Sequence, residues 1–172
     1  MTLKAGLIGF ARTTGVMGRL IRVGEWLKFR RSEFNHVFVI DRVENGVAYV
    51  LQATMRGVTN TATLDDIAPG GSYWLLTVPK ETDVVKMLRF GRAQIGERYG
   101  FLTVAAIALD ILSWSWVPSF RGARKASWEC AALTGEMLRF GGWLYNWRDV
   151  YDVMPQELFD VLLPQSTVVT PG

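Results

Sequence analysis

The chain has 172 residues, 49% of them hydrophobic and 20% charged, which suffices for one buried core and falls short of two ordinary domains. One cysteine and one histidine exclude an intrachain disulfide and a cysteine-based zinc cluster, and no metal or cofactor is expected. Seven Trp, nine Phe and five Tyr supply core material undivided by any linker-like stretch, so a single domain is expected over residues 1–164, with a flexible tail at 165–172.

Taken in chain order, Ala5-Gly-Leu-Ile-Gly-Phe-Ala reads as a short opening strand. Over residues 12–31, Val16, Leu20, Val23 and Leu27 recur at spacings of three and four, which predicts a helix. The period then changes: His36-Val-Phe-Val-Ile-Asp and Val47-Ala-Tyr-Val-Leu-Gln are β-rich runs separated by Asn45-Gly46, a strong hairpin signal. A short strand is expected at 58–62, a turn at Leu64-Asp-Asp-Ile, and a third long strand at 73–78. Helical spacing returns from Thr82 to Gly96, again over 102–113, and again after Ser127, a good N-cap, with Gly141-Gly142 as the stop. Pro155 opens a last short helix over 156–162. The order of helix, strands and then helices predicts an α+β domain with a central, mostly antiparallel sheet packed against helices.

The net charge of +3 is concentrated around residues 19–31 and 121–125. These basic groups read as solvated loops that would tolerate an anionic membrane surface; neither carries the groups needed to read bases, so no specific nucleic-acid partner is expected. The N-terminus lacks the basic start and apolar block of a signal peptide, which leads us to expect cytoplasmic synthesis without export by that route. The apolar run at 101–117 contains Asp110 near its middle. We read it as a buried helix ending in a Trp-rich loop, with peripheral membrane contact as the lesser alternative.

Three residues could carry chemistry. An ordinary thiol, with a pKa of about 8.5, is mostly protonated at neutral pH. If Ser127 caps its helix, Trp128, Glu129 and Cys130 are the first three helical residues, and the thiol lies where helix-start amides favour a thiolate. Without that bias, Cys130 reads as a small buried hydrophobe. His36, the only imidazole, opens an apolar strand, where it is either a base or a satisfied strand-end histidine. Gln52 ends the partner strand, where its side-chain oxygen can orient the ring without adding charge or can face solvent. A two-residue turn at Asn45-Gly46 would set His36 opposite Met55 and send Gln52 to the other face. A three-residue turn, Glu44-Asn45-Gly46 with Gly46 as a bulge residue, sets His36 opposite Thr54 and joins the two on one face, so the bulged turn is expected.

Phe34-Asn35-His36-Val37, Tyr49-Val-Leu-Gln52-Ala53 followed by Gly57-Val58, Ile95-Gly-Glu-Arg-Tyr99-Gly and Trp128-Glu-Cys130-Ala-Ala-Leu occur in that order. The arrangement resembles the circularly permuted branch of the NlpC/P60 papain-like superfamily, in which the His strand precedes the Cys helix. Gln52 stands where those proteins usually carry Glu, Cys130 is followed by Ala131, and Gly6-Leu7 replaces a Gly-Asp pair. The resemblance implies a papain-like fold and a thiol hydrolase or acyltransferase acting on amide, ester or thioester bonds. Its catalytic set would be Cys130, His36 and Gln52, with Tyr99 and Trp128 facing substrate; the residue-level alternative for Tyr99 is a core aromatic. Substrates would be peptide, cell-wall or acyl compounds, in a bacterial or phage (virion-associated) setting. The rival expectation is a catalytically weak binding module for lipid, membrane surface or protein, using Trp114, Trp116 and Trp143 as a sticky surface. Oligomeric state is not encoded in any of these features.

Overall fold

The structure is a computed structural model that describes residues 3–13, 33–69, 73–98, 129–145 and 153–169. The expected helices at 12–31 and 102–113, the Trp-rich loop with Trp114 and Trp116, both basic clusters, Ser127, Tyr99 and Trp128 lie outside the described residues, apart from the single residues Arg12 and Thr13 at the edge of the first helix.

The described elements are β1 (Ile8–Ala11), β2 (His36–Glu44), β3 (Val47–Thr54), β4 (Gly57–Thr59), α1 (Leu64–Ile67), β5 (Tyr73–Leu76), α2 (Val84–Ala93), α3 (Cys130–Phe140) and α4 (Pro155–Leu162). The five strands form one sheet in the order β4-β3-β2-β1-β5, every pair antiparallel. Strict alternation along the strands divides the core. Ile8, Phe10, Val37, Val39, Leu51 and Ala53 pack on one face with α2, α3 and α4, while Leu7, Phe38, Ile40 and Val50 pack on the other with Leu64 of α1.

The expected bulged turn is not formed. Glu44 pairs with Val47, and Asn45 and Gly46 have φ of 52° and 80°, the two left-handed residues of a two-residue type I′ turn. The extra residue sits further up β2, where Arg42 pairs with Tyr49 but Ile40 pairs with Val50, leaving Asp41 as the bulge. A buried carboxylate needs partners that a turn glycine cannot supply: Asp41, 1% exposed, accepts from Arg92 Nε at 2.6 Å and Asn60 Nδ2 at 3.1 Å.

Other differences are smaller. The 64–67 segment closes a helical turn because Thr63 and Asp66 form a reciprocal capping box. The third long strand stops at Leu76, and β4 stops at Thr59. Within the expected tail, residues 167–169 run along β5, with Thr77 N–H to Thr167 C=O at 3.0 Å and Val169 N–H to Leu75 C=O at 2.7 Å, because β5 is a sheet edge with backbone groups to satisfy.

Gly57 is a sensitive position. Its φ is +102°, and a Cβ there would sit 2.5 Å from the Glu97 carbonyl oxygen, where β4 is tied to the turn after α2 by Val58 N–H to Glu97 C=O at 2.9 Å. Gly57→Ala should therefore cost about 1–3 kcal/mol. A thermal melt unchanged from wild type would show that this tie is not close-packed.

Candidate functional site

The first residue of β2 is His36, and its entry is fixed from the preceding position. Asn35, 2% exposed, accepts from Thr13 N–H at 2.7 Å and donates to the Thr13 carbonyl at 2.8 Å, holding the start of β2 against the end of β1. Gln52 lies near the end of β3 and is 5% exposed. His36 Nε2 and Gln52 Oε1 are 2.7 Å apart. An amide oxygen can only accept, so Nε2 carries the proton and Nδ1 is left as the basic nitrogen. The His36 ring also lies 6.2 Å, centroid to centroid, from Phe38 on the same face.

Burial pushes the His36 imidazole below its ordinary value of 6.5, and the Gln52 hydrogen bond offsets part of that effect. The ring is therefore neutral at pH 7, the form in which Nδ1 can take a proton. The same depression links to stability. Below about pH 6.5 the unfolded chain binds a proton that the folded ring resists, so this contribution weakens the fold as pH falls and vanishes above that range. Urea unfolding of wild type and His36→Gln at pH 7.5 and 5.0 should show the larger acid loss in wild type. Equal losses would mean that the imidazole is not held in apolar surroundings.

Cys130 is the first residue of α3, not the third as a Ser127 cap would make it. Glu129 has an extended backbone, φ −101° and ψ 159°, and is the N-cap, so the helix begins two residues later. Leu133 N–H to Glu129 C=O, 2.8 Å, is the first intrahelical bond, and the amides of the first turn lie ahead of it. The Cys130 carbonyl accepts from Thr134 Oγ1 at 2.9 Å.

Helix α3 carries Cys130 at its N-terminal end. Its far end is tied to the start of α2 by Asp83 N–H to Gly141 C=O at 2.7 Å. Val84 at that start covers Gly6, whose N–H reaches the Ile40 carbonyl at 2.8 Å. Helix α3 packs against β2 and β3 on the Val37 and Val39 face of the sheet, whereas His36 and Gln52 stand on the opposite, Phe38 face. Cys130 is 4% exposed within the Val37 and Val39 cluster, and among the described residues no hydrogen bond joins it to His36.

Trp143, expected as part of a sticky surface, is 6% exposed; it packs in the core and donates from Nε1 to Gln165 Oε1 at 3.1 Å. The segment after α4 thus covers it. Two residues escaped the sequence reading. Asn35 belonged to the motif without a role, and Asp41 carried a visible signal as a lone carboxylate closing an apolar strand.

Fold and site together define an α+β protein with a five-stranded antiparallel sheet, a histidine–glutamine pair at one end and a helix starting at a cysteine. No protein-family model matches the chain, and no curated protein matches it in sequence. Among solved structures it is similar to the metalloprotein yiiX from Escherichia coli O157:H7, a DUF1105 protein, with a TM-score of 0.52 and 17% identity over 98% of this chain and 97% of that one. That likeness is one of fold.

Proposed function

We propose that this protein is a thiol hydrolase or acyltransferase of the permuted NlpC/P60 papain-like type, acting on an amide, ester or thioester bond. The observation that carries the reading is the 2.7 Å His36–Gln52 hydrogen bond, which leaves Nδ1 as the basic nitrogen of the ring. His36 Nδ1 takes the Cys130 proton, and the sulfur bonds to the substrate carbonyl carbon, with first-turn amides of α3 stabilising the oxyanion. As the tetrahedral species collapses, the bond to the leaving group breaks and His36 returns the proton to it. Water or another acceptor, deprotonated by His36, then attacks the acyl-enzyme and releases the thiol. At rest His36 stands on the Phe38 face and Cys130 on the Val37 and Val39 face, so the proton transfer requires the two to meet in the substrate complex. Peptide, cell-wall and acyl substrates all fit this chemistry, in a bacterial or phage-borne setting, with peripheral membrane contact for an acyl substrate.

The solved neighbour is called a metalloprotein, but no group of three or more His, Cys, Asp or Glu among the described residues could hold a metal ion.

A second reading, a binding module that retains the shell without turnover, is favoured by the burial of Cys130 at 4% exposure. Iodoacetamide alkylation of Cys130 against pH decides between them. The enzyme reading expects reaction at pH 6 in wild type and only near about pH 8.5 in His36→Ala. A thiol inert at every pH until unfolding would leave the binding module standing.

A further inference from the structure

We propose that Asp41 is a positioning residue: the extra residue it inserts into β2, pinned by Arg92 and Asn60, sets the register in which His36 and Gln52 share a face. The importance of that face rests on the reading of His36 as a base; the register argument does not.

The two-residue turn fixes one register at the tip, where Glu44 pairs with Val47, Val43 with Ala48 and Arg42 with Tyr49. Continued without a bulge, that ladder would pair Asp41 with Val50, Ile40 with Leu51 and Val39 with Gln52. Gln52 would then lie on the Val39 face, beneath the helices, because a one-residue slip reverses every side chain. The observed ladder instead resumes with Ile40 opposite Val50 and Val39 opposite Leu51, so Gln52 falls opposite Phe38 and next to His36 on one face. The whole site alignment depends on one uncompensated residue.

What holds that residue out of the ladder is polar and distant. Arg92 in α2, 51 positions away, donates from Nε to Asp41 Oδ1 at 2.6 Å and from Nη2 to the Asp41 carbonyl at 3.1 Å, engaging both side chain and backbone of the bulge. Asn60 Nδ2 and Arg42 Nη1 reach Oδ2 at 3.1 and 3.2 Å. Arg42 also donates to the Asn60 carbonyl at 3.1 Å and lies 4.1 Å above the Tyr49 ring. An apolar β-former at 41 would lose all these bonds and gain a regular strand.

Two variants separate register from charge. Asp41→Val and a chain with Asp41 deleted lose the same carboxylate, but only the deletion lets the ladder run from the turn to the site without a bulge and with Val39 still opposite Leu51. Because His36 is the only histidine, its ring nitrogens give one set of ¹⁵N signals in the full-length protein. The hydrogen-bonded Nε2–H signature should persist in the deletion and vanish in Asp41→Val. In parallel, Cys130 alkylation near neutral pH should fall about 10²-fold in Asp41→Val and stay near wild type in the deletion. Retention of the ring signature in Asp41→Val, or its loss in the deletion, overturns the inference; if Asp41→Val does not fold, the deletion decides alone. A wild-type thiol that is inert while the ring signature follows register would sink the hydrolase reading and leave this one intact.

Discussion

Phe159→Ala is expected to destabilise the protein by about 3–5 kcal/mol, the cost of emptying a large aromatic site that its neighbours cannot refill. Phe159 in α4 is 2% exposed and is a hub. Its ring meets Phe10 of β1 edge-on at 5.1 Å, Phe34 at 4.6 Å and Trp74 of β5 at 5.7 Å and 90°. Phe34 in turn lies 5.7 Å from Phe10 and two positions before His36, so the same cavity loosens the approach to the site. Urea unfolding should show the loss, with the His36 ring signals broadening. Leu144→Ala, at a side chain 81% exposed, should stay within about 0.5 kcal/mol of wild type. A Phe159→Ala loss below 1 kcal/mol would mean that the aromatic cluster is not packed as described.

The second large effect belongs to Gln52. Gln52→Leu leaves the half-buried His36 Nε2–H without its acceptor, which should cost about 1–3 kcal/mol. It also frees the ring to rotate, and on the proposed mechanism a misplaced base lowers turnover, or thiol alkylation near neutral pH, by about 10²-fold. Gln52→Glu keeps an acceptor and adds negative charge beside the ring, so it should raise the His36 pKa and favour the imidazolium. The reactive thiolate should then appear at lower pH than in wild type. Identical alkylation profiles for wild type, Gln52→Leu and Gln52→Glu would show that the pair does not act on Cys130.

Local chemistry in the sequence located much of the scaffold. Asn45-Gly46 marked the hairpin because both residues must adopt positive φ, which Asn and Gly tolerate best. Pro155 marked the start of α4 because its ring fits the first helical position. The candidate base was legible from its uniqueness and its place at a strand start. The bulge was anticipated as a necessity and assigned to the wrong residue, since a turn glycine is a local solution whereas Asp41 needs Arg92.

What the sequence determined by itself is the set of elements whose signals act within about one turn or hairpin: the five strands, helices α2, α3 and α4, and the places of His36 at a strand start, Gln52 near a strand end and Cys130 in the first turn of a helix. Tertiary structure decided the register through Asp41, the start of α3 at Glu129, the burial of Trp143 beneath Gln165 and the course of 167–169 along β5. The reason is one of range. Propensity, turn and cap preferences are settled by neighbouring atoms, while register and burial are settled by whichever distant segment satisfies a buried polar group or covers an apolar face.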